Sequence, residues 1–128
     1  MRKITLQVLR EITRRDDDWV QAAQTLVKSL KGQDKERQLR NIQSIAEGSA
    51  SWKALALFIR YQAARGELPR QWAEDTIRQL GELANVAEDI ARRHGANSKV
   101  VHMEIVSRVL GYAVRWHVWD VKGKGVKQ

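Results

Sequence analysis

Apolar residues return at steps of three and four along almost the whole chain, and the runs stop at glycines or at the single proline. That period matches the α-helical turn and not the two-residue alternation of a strand, so it restricts the chain to an all-α architecture. Trp19, Ala23, Leu26, Val27 and Leu30 mark one buried face. Asp16, Asp17 and Asp18 suit the positive end of that helix and Gly32 its stop, which predicts a helix over about residues 17–31. Asp34 is placed to cap the next helix, with Leu39, Ile42 and Ala46 inside and an end near Gly48. Ser49 and Ser51 open a third, where Trp52, Leu55, Ala56, Ile59 and Ala63 form a stripe that Leu57 and Phe58 widen. An apolar arc so broad predicts that this is the central helix.

Gly66 ends the third helix, and Pro69 suits the first turn of a fourth, where its missing N–H would have no helical partner. Trp72, Thr76, Leu80, Leu83, Ala84, Ala87, Ile90 and Ala91 keep the helical step, so the fourth helix is read as continuous to His94, roughly 37 Å at 1.5 Å per residue. Ser98 is the expected cap of a fifth helix over residues 99–121, with Val106, Val109, Leu110, Ala113 and Val118 inside. Residues 1–15 carry Ile4, Val8, Leu9 and Ile12 and are read as a short helix, a strand being the alternative. The prediction is a single compact bundle of five or six helices over residues 1–121, with short connections between antiparallel neighbours. Residues 122–128, where lysine alternates with glycine, are read as a flexible basic tail.

Charge narrows the function classes. The chain has 23 Lys and Arg against 15 Asp and Glu, a formal charge of +8. The excess lies in residues 1–15, 49–68 and 99–128, whereas residues 69–98 are near neutral. Such a distribution points to a polyanionic partner. The chain has no cysteine, which removes disulfides, thiol nucleophiles and cysteine-based zinc sites. No apolar run approaches a membrane span or a secretory leader, so a soluble protein of the cytoplasm with no membrane partner is expected.

Signatures of catalysis are not found. His94, His102 and His117 do not stand at the i, i+4 spacing of a helical metal site, and none follows an arginine at the five-to-seven-residue offset of helical ribonucleases. Glu74 with Asp75, and Glu88 with Asp89, lack the i, i+3 glutamate spacing that would set carboxylates side by side for magnesium, and are read as a solvated face. The glycines stand singly, not in a phosphate loop. The expectation is therefore a protein that is not an enzyme and takes no metal or cofactor.

Three clusters suit binding instead. Lys35, Arg37 and Arg40 share a short segment with Gln38 and Asn41, a mixture fit for phosphate and sugar contacts, unless Asp34 and Glu36 make it an ordinary solvent face. Arg60, Tyr61 and Arg65 stand near the end of a helix that has few polar positions to spare; Arg65 also suits the negative end of its own helix. Tyr112, Arg115, Trp116 and Trp119 offer stacking surfaces for unpaired bases, or alternatively a subunit contact or the end of the core.

In this order, Gln38-Leu39-Arg40, then Tyr61-Gln62-Ala63-Ala64-Arg65, then the stretch from Glu104-Ile105-Val106 to Gly111-Tyr112-Ala113 resemble the motifs of a known family. That family is the small all-helical subunit of type III CRISPR effector complexes, the Csm branch favoured over the Cmr branch. The likeness spans about residues 34–119. It implies a non-catalytic subunit that self-associates along a guide RNA and target RNA duplex and is held there by larger effector subunits. It also implies that Arg40 and Arg65 face RNA or are structurally essential; Lys35, Arg37, Lys53 and Arg60 join them from charge alone. Two other readings stay open: a helical interaction or scaffold module for acidic proteins, and a metal-dependent nucleotide hydrolase using Glu74 or Glu88.

Overall fold

The computed structural model describes residues 3–123, and no strand forms among them. Their helices are α1 (Leu6–Arg14), α2 (Asp16–Lys28), α3 (Glu36–Gly48), α4 (Trp52–Ala64), α5 (Arg70–Glu82), α6 (Ala84–His94) and α7 (Ser98–Lys122). The protein is an all-α bundle of five helical stretches, two of which are bent. Residues 1–15 form the helix preferred for them: the Thr5 hydroxyl accepts the Val8 N–H at 3.3 Å, and Val8 and Ile12 turn inward. The chain bends at Arg15, and across the bend Trp19 Nε1 donates to the Ile12 carbonyl at 2.8 Å. That carbonyl lies in the last turn of α1, where helical partners run out.

Three expectations need correction. The fourth helix is not continuous to His94, because α5 and α6 meet at a bend at Leu83. There the Leu80 carbonyl accepts both the Leu83 N–H at 3.3 Å and His102 Nε2 at 2.9 Å, so a donor from α7 enters the backbone ladder and tightens the turn. The bend lets α5 pack on α4 while α6 packs on α7. The central helix is α7, not α4. It lies against α2, α3 and α6 and buries a broad arc of residues from Val101 to His117, with the line through Glu104, Arg108, Gly111 and Arg115 less covered, whereas Leu57 on α4 is 66% exposed. A buried arc this wide leaves only a narrow polar stripe, and several polar residues of α7 are themselves inside: His102, Ser107 and His117.

The third correction concerns caps. Asn97, not Ser98, starts α7, its Oδ1 accepting the N–H groups of Lys99 at 2.9 Å and Val100 at 3.3 Å. Asp34 accepts the Glu36 N–H at 3.2 Å, although the residue at the cap position is Lys35. Gly32 and Gly66, both at φ 79, take the left-handed backbone that closes α2 and α4, a conformation costly for any residue with a Cβ. The last helix runs through Lys122, inside the segment read as a tail; residues 124–128 lie outside the described residues. No helix among the described residues is long and apolar enough to cross a membrane.

Candidate nucleic-acid interface

Whether a cation is available to a partner depends on whether the fold has already given it a carboxylate. Arg15 and Arg93 both meet Glu11, Arg78 lies between Asp75 and Glu82, Arg92 meets Asp89, and Arg108 holds Asp16 at 3.1 Å. Between residues 37 and 70 the pattern reverses. Arg37, Lys53, Arg60, Arg65 and Arg70 are exposed and form no ion pair among the described residues; Arg40 alone in that run does. Arg10 and Arg14 on α1 and Arg115 on α7 are likewise unpaired.

At the start of α3, Arg37, Gln38, Arg40 and Asn41 border a recess of about 510 Å³ together with Asp34 and Glu36. Glu36 takes Lys122 Nζ at 2.6 Å and Arg40 Nε at 2.8 Å, and these two hydrogen bonds hold its carboxyl down to about 2. Arg40 is therefore partly neutralised, and Arg37 is the freer charge. Gln38 Nε2 donates to Glu67 at 3.1 Å, which joins this recess to the loop just after Arg65.

Lys35 enters through its backbone. Its N–H donates to His117 Nε2 at 2.9 Å, so that nitrogen must carry a lone pair and the ring must be neutral. Burial pushes the His117 pKa below its ordinary 6.5, against Asp34 and Asp120, which pull it up. The unfolded chain therefore binds this proton at a higher pH than the folded one does. The contribution to stability is complete above pH 6.5 and is lost as the pH falls below it toward the folded value. Thermal unfolding followed from pH 7.5 down to 5.5 should show a falling midpoint. His117→Gln, which keeps an acceptor for Lys35 but cannot titrate, should flatten that dependence.

Between α4 and α5 a groove of about 310 Å³ has Arg60 and Arg70 on its walls and Ala63, Ala64 and Ala73 along it, with Glu74 also lining it. Arg65 is the C-cap of α4, as the helix dipole favours, and its guanidinium sits over the Tyr61 ring at 5.5 Å. Lys53 stands apart from these arginines. It shares a recess at the starts of α4 and α7 with Lys99, a residue the sequence did not mark.

At the far end of α7, Tyr112, Arg115, Trp116 and Trp119 border a shallow recess of about 230 Å³. Trp116 is half-buried and its indole N–H donates to the Val20 carbonyl at 2.9 Å, so its ring packs α7 on α2 instead of offering a free stacking face. Arg115 lies over Tyr112 at 5.3 Å, and Trp119 is 63% exposed. The ten residues marked in the sequence thus do not form one site. They divide among the α3 start, the α4–α5 side, the Lys53 recess and the end of α7.

The buried Glu11 was missed. It receives Arg15 Nη2 at 3.2 Å, Arg93 and His94 Nε2 at 2.8 Å, which pins α6 to α1. The signal was an acid at position 11 on the same helical face as Val8 and Ile12. Each histidine has a structural partner: Glu11 for His94, the Leu80 carbonyl for His102 and the Lys35 N–H for His117. Glu74 and Asp75 lie on α5, whereas Glu88 and Asp89 lie on α6. No group of three His, Asp or Glu side chains among the described residues is arranged to hold a metal ion. Compared with known proteins, the chain matches no family model, no curated protein and no solved structure.

Proposed function

We propose that this chain is a non-catalytic small subunit of a type III CRISPR effector complex that binds guide and target RNA along the phosphate backbone without reading sequence. One observation carries the proposal: the exposed, unpaired run of Arg37, Lys53, Arg60, Arg65 and Arg70 on and beside α3, α4 and α5. Arg15, Arg78, Arg92, Arg93 and Arg108 are already held by carboxylates, so a polyanion gains more from the cations of this run than from those. The motif order described above supplies the RNA class and the larger subunits as partners. Leu57 and Tyr61, one helical turn apart on α4, are 66% and 52% exposed and suit a contact with a neighbouring protein or a further copy of the chain.

The same exposed pair favours a second reading, a helical interaction module for acidic proteins. The two separate in one titration. If about five cations meet phosphates, log K for RNA should fall with log salt at a slope of roughly −3.5 to −4.5, nearly alike for unrelated sequences. Affinity that does not change with salt, or that depends on sequence, contradicts the proposal.

A further inference from the structure

The recess beside Lys53 differs from the other concavities in its chemistry. Its volume is about 650 Å³, within the range of small-ligand sites. One wall is the half-buried Trp52 indole, which rests on Gly81, where an added Cβ would stand 3.4 Å from the ring. Behind it, the His102 ring lies 5.2 Å from the indole, centroid to centroid, and is fixed by its bond to the Leu80 carbonyl. Ala84 adds another small apolar surface. Lys53, near the start of α4, and Lys99, near the start of α7, both line the recess, and neither forms an ion pair among the described residues. Their charge is thus not offset locally. Ser51 and Asn97 already occupy N–H groups of the two helix starts, so the attraction for an anion rests on the lysines.

A fixed aromatic wall in an apolar recess beside two uncompensated cations fits a flat ring attached to a phosphate. We infer that this recess is a nucleotide pocket, with the base against Trp52 and the phosphate between Lys53 and Lys99. The inference deepens the RNA proposal and rests on it for the source of the nucleotide, an unpaired residue of a bound strand and not a free mononucleotide. Stacking of this kind accepts any base and is compatible with sequence-independent binding.

The test uses the full chain with three probes: a single-stranded oligouridine, an RNA duplex of unrelated sequence, and free uridine monophosphate. The reporter is the Trp52 indole N–H resonance, assigned by its loss in Trp52→Phe. Oligouridine should shift that resonance and the duplex should bind without shifting it. Lys53→Ala with Lys99→Ala, both at exposed positions, should weaken oligouridine binding by roughly 30-fold at 0.1 M salt. Oligouridine binding that leaves both the Trp52 signal and the double-variant affinity unchanged overturns the pocket but not the RNA proposal. Uridine monophosphate shifting Trp52 while neither RNA binds keeps the pocket, assigns it to free nucleotide and overturns the RNA proposal. Silence from all three probes overturns both.

Discussion

Trp72→Ala is expected to remove about 3–5 kcal/mol of stability, a large share of the roughly 5–15 kcal/mol that holds a domain of this size. The ring is 2% exposed and lies where α5 meets α2. Its indole N–H donates to the Leu26 carbonyl at 2.8 Å, in the final turn of α2. Truncation therefore opens a cavity and also leaves a carbonyl without its donor. Trp72→Phe separates the two effects: it keeps most of the ring and should cost about 1–3 kcal/mol from the lost hydrogen bond and the smaller volume. Urea unfolding would read both as shifts in midpoint at a nearly constant slope. A cost below about 1 kcal/mol for the alanine variant would mean that the α2–α5 contact contributes little to the fold.

The second large effect concerns binding. Arg60→Ala with Arg65→Ala removes two unpaired cations, whereas Arg78→Ala with Arg92→Ala removes two that already have carboxylate partners. Both double variants lower the net charge by the same amount. If each cation of the first pair meets one phosphate, its loss should cost about sixfold at 0.1 M salt, so the first pair should weaken RNA binding roughly 30- to 60-fold. The salt slope should fall in parallel by about 1.4–1.8. The second pair should weaken binding by less than about threefold, since it changes only the overall field. Fluorescence anisotropy at several salt concentrations measures both quantities. Equal losses from the two pairs would mean that net charge, not the α4 surface, governs association.

The sequence was most informative where one helix decides its own structure. Apolar spacing placed all five helical stretches, and Gly32 and Gly66 stand at positive φ where stops were expected. It was least informative where a distant residue intervenes. Gly81 is a local sign of weakness at Leu80–Leu83, but a single glycine within a helical pattern does not by itself end a helix, and the donor that enters there, His102, is 22 residues from Leu80. The breadth of the apolar arc on α4 misidentified the centre, because Leu57 belongs to the outer surface and α7 hides polar groups inside.

The candidate interface was legible in kind but not in membership. Composition announces a surplus of cations, yet which of them remain available is settled by pairs such as Arg108 with Asp16 and Lys122 with Glu36, separated by 92 and 86 residues. Arg40 carried the motif resemblance and turns out to be bound to Glu36, while Arg70, unmarked in the sequence, shares the α4–α5 groove with Arg60. Trp116 kept its aromatic character but lost its free face to Val20. Lys99 joins Lys53 only because α7 begins beside α4, a proximity that no local pattern encodes.

The central claim is that this chain lives on RNA within a larger assembly, and recovery of the tagged protein from its own cells tests it most directly. Sequencing the RNA that accompanies it should return short species of many sequences sharing a constant end, together with larger protein subunits of a CRISPR effector. A stable complex with acidic proteins that contains no such RNA, and that is unchanged by nuclease treatment, would contradict the account.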